Sequence, residues 1–416
     1  MATNEKTIYV FADWINDQPI LMGRLFVSGG RGKELTSFEY SKDWLLSVDS
    51  GLVFDPDLHL YGGRQYVPDK PLFGVFSDSC PDRWGRLLMK RKEAIIARKE
   101  NRKPRALTES DYLLGVYDEA RLGALRFSLE EGGPFLSTDK GLCAPPWTTL
   151  RTLESVSLAF ESGDSGQDDK WLQQLLAPGS SLGGARPKAS VYAPDGSLWI
   201  AKFPSRHDEW NSGAWEVVTH DLAVMCGLNV PEAKLETFSK AGSTFLIKRF
   251  DRANSRRIHF SSAMAMLGKT DGDADGVSYL DIAAFIKSNG ASPKQDLKEL
   301  WRRIVFNMAV SNTDDHLRNH GFLLMKNGWT LSPMYDVNPN IYGNTLSLNV
   351  NMDDSSISFE LAIETAQYYD IGLNDAKNTV EEIQKTVNKN WRTLALNYGL
   401  SRSAINRMES AFAMGY

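Results

Sequence analysis

Cysteine is nearly absent. Three thiols in 416 residues, Cys80, Cys143 and Cys226, are odd in number and far apart. That spacing excludes a disulfide framework and a CxxC metal site, and buried free thiols are expected. Basic charge is in deficit as well: Lys and Arg total 47 against 52 Asp and Glu, a formal charge of −5. A protein that coats nucleic acid over its whole surface carries the opposite sign, so any such contact has to be local. No uncharged apolar run approaches the roughly 18 to 20 residues that cross a bilayer. The opening MATNEKTIYVFADW lacks the basic, apolar and small-residue series of a secretory leader. A cytoplasmic address with no membrane partner is therefore expected, and no internal repeat is visible.

What remains is ordinary globular composition, with 42% hydrophobic, 11% aromatic and 24% charged residues, which excludes disorder and fibres. At about 150 residues per domain the chain holds two to three units. From Thr7 to about Leu60 short alternating bursts (TIYVFADW, GRLFVSG) broken by glycine predict strands and hairpins. A helix is predicted from Asp82, its cap, to about Glu100, with Trp84, Leu87, Leu88, Ile95 and Ile96 on its apolar face. Between Lys90 and Arg105 eight bases meet two acids, a local charge of +6 in an acidic chain. Such a stretch is either a solvated helix face or a contact for an anionic partner, DNA or an acidic protein. ESGDSGQDD at 161–169 marks a surface loop, and KWLQQLLAPG a short helical turn.

Residues 179–188 run Gly-Ser-Ser-Leu-Gly-Gly-Ala-Arg-Pro-Lys. Glycines let backbone N–H groups approach an anion, and Arg186 and Lys188 add charge, so a phosphate fits here, as does a plain turn. A hairpin follows: ASVYA, the turn Pro194-Asp195-Gly196, then SLWIAKFP. Lys202 lies on its second strand among apolar neighbours, where an ammonium needs an anionic partner. Glu216, on a helix predicted over about Ala214 to Cys226 and stopped by Gly227, is the natural one. Strand lysine plus helix glutamate fixes nucleotide phosphates in kinases and is also an ordinary structural ion pair.

A buried helix through Leu297, Leu300, Trp301, Ile304, Val305 and Met308 runs into NTDDHLRN, where Asp314 and Asn319 stand five apart. That is the D-x-x-x-x-N spacing of the protein-kinase catalytic loop. GFLLM, the turn Lys326-Asn327-Gly328 and WTLSPMY then lead to Asp336, so an Asn-Gly hairpin returns Asp336 to the end of the ribbon that Asn319 occupies. Two oxygen ligands at one point suit Mg²⁺, and Asp314 is left to orient and deprotonate a hydroxyl.

The chain resembles the HipA family, serine/threonine kinases that act as toxins of bacterial toxin–antitoxin pairs. The resemblance rests on SSLGGARPK, WIAKFP, LIKRFDR, NTDDHLRN and SPMYDVNP, in that order, with FSDSCPDRWGR in the N-terminal part. It implies an α+β, two-lobed protein-kinase-like fold with an extra β-rich subdomain over 1–150, an N-lobe over 151–255 and a mainly helical C-lobe over 256–416. It implies ATP and Mg²⁺ as cofactors, Asp314 as catalytic base, and Asn319 and Asp336 as metal ligands. The phosphate loop becomes Gly183, Gly184, Ala185, Arg186, Pro187 and Lys188, with Lys202 on the phosphates and His316 also on the nucleotide. Lys248, Arg249 and Phe250 become the adenine hinge. Ser181, or its neighbour Ser180, takes the place of the serine whose autophosphorylation ejects the loop and silences the kinase. Arg186-Pro187 and Lys248 depart from the best-known member, and backbone hydrogen bonds to adenine survive either change. The implied partners are a protein substrate, with aminoacyl-tRNA synthetases a recurring family theme, and a HipB-like helix-turn-helix antitoxin through which DNA would be met.

Three rival readings use the same residues. Gly179-x-Ser181-x-Gly183 satisfies the nucleophile elbow of an α/β-hydrolase esterase, but that elbow follows a strand and opens a helix. His316 and His320 have a zinc-like i, i+4 spacing without the HExxH glutamate or a nearby cysteine. A non-catalytic regulator could keep a kinase fold and only bind a partner or DNA.

Overall fold

The period-two alternation near the N-terminus builds antiparallel strands in the computed structural model. It describes residues 5–15, 17–30, 33–47, 52–67, 69–136, 144–162, 175, 184–253, 256–272 and 276–412. The chain forms two units, 1–206 with 251–261, and 207–250 with 262–416.

In the first unit β1 (Lys6–Ala12), β2 (Ile20–Gly30), β3 (Lys33–Tyr40), β4 (Gln65–Tyr66) and β5 (Leu125–Ser128) form one sheet in the order β4-β3-β2-β1-β5. Ile8, Val10 and Ala12 alternate inward and are fully buried. His259 joins this core, stacked on Trp14 at 4.6 Å and on Phe54 at 5.2 Å. Burial pushes its pKa down to about 3, so the ring stays neutral. Cys80 and Cys226, the latter in the second unit, are buried and free, and burial pushes both thiols up to about 12. Cys143 lies outside the described residues.

The predicted basic helix is α1 (Arg83–Lys99), with the Asp82 carboxylate accepting from the Arg83 N–H. Its buried stripe is Trp84, Leu88, Met89, Glu93 and Ala97. Leu87, expected on that face, is 48% exposed, because it sits about 100° around the helix from Leu88. Helices α2 (Glu109–Gly115) and α3 (Leu150–Glu161) follow, then the predicted hairpin, β6 (Lys188–Tyr192) and β7 (Leu198–Lys202). The 163–169 part of the expected loop, most of KWLQQLLAPG, and Ser180, Ser181 and Gly183 lie outside the described residues.

The second unit opens with α4 (Ser212–Met225), two residues ahead of the predicted Ala214 because Asn211 caps it: Asn211 Oδ1 accepts from the Ala214 N–H. The same oxygen accepts from the Ser243 N–H of β9 (Gly242–Lys248), which pairs antiparallel with β8 (Ala233–Ser239). A helical core follows: α5 (Tyr279–Asn289), α6 (Pro293–Ala309), α7 (Phe359–Thr365), α8 (Leu373–Asn397) and α9 (Arg402–Phe412). Trp391 of α8 stacks on Phe412 of α9 at 4.6 Å, and Phe412 also meets Trp215 of α4. Between α6 and α7 runs the second predicted hairpin, β10 (Gly321–Met325) and β11 (Gly328–Leu331). Among the described residues no helix is long and apolar enough to cross a membrane.

Gly213 is where α4 approaches β9 most closely, since a Cβ there would stand 2.2 Å from the Ser243 carbonyl oxygen. Gly213→Ala should cost about 1–3 kcal/mol of stability by overpacking, read as a lower urea midpoint at unchanged m-value.

Candidate active site

The first unit carries a built concentration of positive charge. Register on the β6–β7 hairpin sets Lys188 directly opposite Lys202, and the two are 5% and 8% exposed. Like charges in cross-strand positions repel, so each ammonium in this buried place needs anionic or polar neighbours. The loop entering β6 adds to the positive charge. Gly184 sits at φ +86°, and a Cβ there would come within 2.6 Å of the Lys188 ammonium, which makes glycine the residue that leaves room for the charge. Arg186 is half-buried and donates its Nε–H to the Phe203 carbonyl at 3.0 Å; the Phe203 N–H donates back to Pro187 at 2.9 Å. Ala185 is exposed.

The second unit holds the carboxylates. Asp314 is exposed, and its carbonyl accepts from the Asn319 Nδ2–H at 2.9 Å, which fixes the orientation of the Asn319 amide. The hairpin closes with the Ser332 N–H on the Gly321 carbonyl, and the Tyr335 hydroxyl reaches the Arg318 carbonyl at 2.8 Å. The neighbours of Asp336 and Asn319 are thus joined, and the two residues share one end of the ribbon as the turn chemistry predicts. Asp336 itself adopts φ 60°. A non-glycine residue held in the left-handed region costs of order 1 kcal/mol, a strain concentrated at functional sites. Helix α4 steadies the next residue, since Thr219 Oγ1–H donates to the Val337 carbonyl at 2.6 Å. Glu216 lies on the same helix, 5% exposed. The predicted hinge runs out of β9: the Lys248 N–H donates to the Glu232 carbonyl, Arg249 is buried, and Phe250 packs on Tyr335 with ring centroids 5.6 Å apart.

Residues 180–391 match the family model described as the HipA-like C-terminal domain, half of the chain. The chain belongs to the HipA family. A "Putative kinase" of Haemophilus influenzae is 30% identical over 194 residues, covering 40% of this chain and 56% of that protein. The "Serine/threonine-protein kinase toxin HipA" of Shewanella oneidensis is 26% identical over 267 residues, 55% of this chain and 59% of that one. The chain therefore spans somewhat over half the length of these two relatives. Among solved structures, the Shewanella oneidensis HipA, HipB and operator DNA complex contains a chain with TM-score 0.66 at 18% identity, covering 97% of this chain and 95% of that one. The α+β fold is accordingly the HipA fold.

Within that HipA fold the elbow reading fails, because bends and the strand β6 follow residue 183 where an elbow needs a helix. The zinc reading fails too. His320 gives its Nε2 to Asp315 at 2.8 Å, and among the described residues no cluster of three His, Cys, Asp or Glu side chains is placed to hold a metal. His316 is half-buried, with no hydrogen-bond partner for its Nδ1 among the described residues.

Sequence reasoning missed what supports the loop. Asp315, 3% exposed, accepts from Tyr279 Oη at 2.6 Å, Asn307 Nδ2 at 2.7 Å and His320 Nε2. Asn307 in turn accepts from Asn312 Nδ2 at 3.0 Å. Thr313 is held by Asn340 Nδ2 at 2.7 Å and by Ser347, whose hydroxyl donates to the Thr313 carbonyl. The one available signal was the doubled Asp314-Asp315, of which only one can face outward.

Burial alone pushes the Asp315 carboxyl up, but the positive field of His320 and the hydrogen bonds from His320 and Tyr279 outweigh it and leave the group below the usual carboxylate range. An unfolded Asp titrates near about 3.9, so the unfolded chain takes up the proton first. Stability from Asp315 is fully present above about pH 4 and is lost as pH falls through the lower folded value. Asp315→Asn should cost about 3 kcal/mol at neutral pH and flatten the acid limb of a urea-midpoint against pH curve.

Proposed function

We propose that this chain is an ATP- and Mg²⁺-dependent serine/threonine protein kinase of the HipA toxin type. The observation that carries the reading is the second unit's set of an exposed Asp314, an Asn319 oriented by the Asp314 carbonyl, and a strained Asp336 at the same ribbon end. Asp314 accepts the proton of the attacking serine or threonine hydroxyl and aims its oxygen. Asn319 and Asp336 present two hard oxygen atoms, the donor set that suits Mg²⁺ alongside phosphate oxygens. Gly184, Ala185, Arg186, Pro187 and Lys188, with Gly183 before them, cradle the phosphates; Lys202 neutralises them, with Glu216 its proposed ion-pair partner. Lys248, Arg249 and Phe250 flank adenine, and His316 borders the nucleotide. Bound Mg·ATP supplies the γ-phosphoryl group, and the protein's share is positioning and charge neutralisation. The functional division proposed is 1–150, 151–255 and 256–416, and the place of action is the cytoplasm.

Ser181, or Ser180 beside it, is proposed as the autophosphorylation site. Phosphate there adds roughly −1.5 to −2 charge and competes with the nucleotide for Lys188 and the loop amides. Asp314→Ala and Asp336→Ala should each lower transfer from radiolabelled ATP by at least about a hundredfold. Mass spectrometry of the same reactions should find phosphate on Ser181 or Ser180 in wild-type protein alone. Wild-type turnover by Asp314→Ala removes the role assignment, and wild-type protein without transfer favours a regulator that only binds.

A HipB-like antitoxin is the proposed partner, since the Shewanella relative is found with HipB and operator DNA. On this chain the candidate contact is the basic face of α1. Part of the charge of the Lys90–Arg105 stretch is spent internally beyond the helix end: Arg102 pairs with Glu93 and Glu100, and Arg105 with Asp111. Lys90, Arg91, Lys92, Arg98 and Lys103 are exposed. Replacing Lys90, Arg91, Lys92 and Arg98 by Glu should weaken the complex with antitoxin and operator and reduce its salt slope, each lost phosphate contact removing about 0.9. An unchanged slope in a salt titration returns α1 to a solvated face.

A further inference from the structure

The first turn of α1 grips the phosphate loop at both ends, and this contact lies wholly within the first unit. Asp82 divides its carboxylate between two tasks. Oδ1 accepts from the Arg83 N–H at 2.7 Å and caps the helix, while Oδ2 accepts from the Gly184 N–H at 2.5 Å. Trp84 completes the grip: its backbone N–H donates to the Gly184 carbonyl at 3.1 Å, and its indole Nε1–H donates to the Lys188 carbonyl, also at 3.1 Å. Both polar groups of the Gly184 residue and the carbonyl of Lys188 are therefore bound to two residues, Asp82 and Trp84, of one helix start. Gly184 is held at a φ of +86°, which glycine alone adopts without strain.

The anchor is itself rigid. Trp84 is 2% exposed and packs edge-on against Phe160 at 5.4 Å. Arg86 donates its Nε–H to the Pro81 carbonyl and forms a two-pronged pair with Glu109 of α2, both contacts at 2.6 Å. The Asp82 carboxylate is divided between the helix cap and the loop, and the Trp84 indole N–H is spent on the loop.

We infer that Asp82 and Trp84 are positioning residues for the polyphosphate of the nucleotide, acting through Gly184 and Lys188 rather than by touching it. This rests on the kinase reading and extends it: the N-terminal subdomain sets the shape of the phosphate cradle. A loop released from α1 samples many conformations, and its amides converge on phosphate only in a fraction of them. The contact acts on phosphates and not on adenosine, and this separates positioning from a general weakening of the fold.

Two substitutions isolate it. Asp82→Ser keeps a good helix cap but is too short and uncharged to hold the Gly184 amide; Trp84→Phe keeps the ring against Phe160 and removes only the indole N–H. In nucleotide-free protein each should speed amide hydrogen exchange across 184–188 while leaving the rest of α1 unchanged. In equilibrium titrations Asp82→Ser should weaken ATP about tenfold, the scale of one charge-assisted hydrogen bond, and Trp84→Phe about fivefold, the scale of a neutral one, each leaving adenosine within about twofold. Unchanged exchange in the loop, unchanged ATP affinity, or equal weakening of ATP and adenosine overturns the inference. Wild-type protein that binds neither ligand overturns the kinase reading and the positioning role with it, whereas wild-type ATP binding with any of the former results overturns the positioning role alone.

Discussion

The stretch around Asp314 and Asn319 in the second unit is built on one carboxylate held away from water, that of Asp315. A carboxylate buried to the degree of Asp315 is costly unless its lone pairs are filled and a positive charge is near. Tyr279 on α5, Asn307 on α6 and His320 at the foot of the hairpin all meet its Oδ2. Because these partners come from three elements, displacing any one of them removes support from a buried charge. That arrangement leaves the adjacent Asp314 on the outside. The alternation of one buried and one exposed acid thus accompanies the network that holds Asp315.

The first unit solves a different electrostatic problem. Lys188 and Lys202 face each other on one hairpin in a buried place, where two like charges have to be compensated by their surroundings. Glycine at 184 lets the backbone pass beside the Lys188 ammonium, and the Asp82 carboxylate fastens the loop there. The shape of the loop comes from hydrogen bonds to the start of α1, those joining Gly184 to Asp82 and Trp84 and Lys188 to Trp84.

The global acidity of the chain and the basic surface of α1 are compatible because charge is segregated. Glu93 is buried on the helix and takes Arg102, and Asp111, in the capping box of α2, takes Arg105. What projects outward after these internal pairs is a shorter basic stretch than a count along the chain suggests. Such a stretch acts over about a Debye length, 8 Å in physiological salt, so it suits one local partner and not a coat of nucleic acid.

The sequence by itself determined the local elements and the order of the chemistry. Alternation, Asp195-Gly196 and Asn327-Gly328 were sufficient for three sets of strands, since turn chemistry and side-chain period act over a few residues. The spacing from Asp314 to Asn319 and the return to Asp336 were equally legible, because a two-stranded ribbon brings its ends together whatever surrounds it. The HipA resemblance followed from those same stretches. Only the tertiary structure decided that Leu87 faces solvent, that Asn211 begins α4 two residues early by bonding to β9, and that Asp315 and not Asp314 is buried. It also decided that Asp82, legible as a helix cap, holds a loop 102 residues away. These facts depend on which surfaces meet across long stretches of chain, and a burial or hydrogen bond of that kind has no period or spacing in the sequence to announce it.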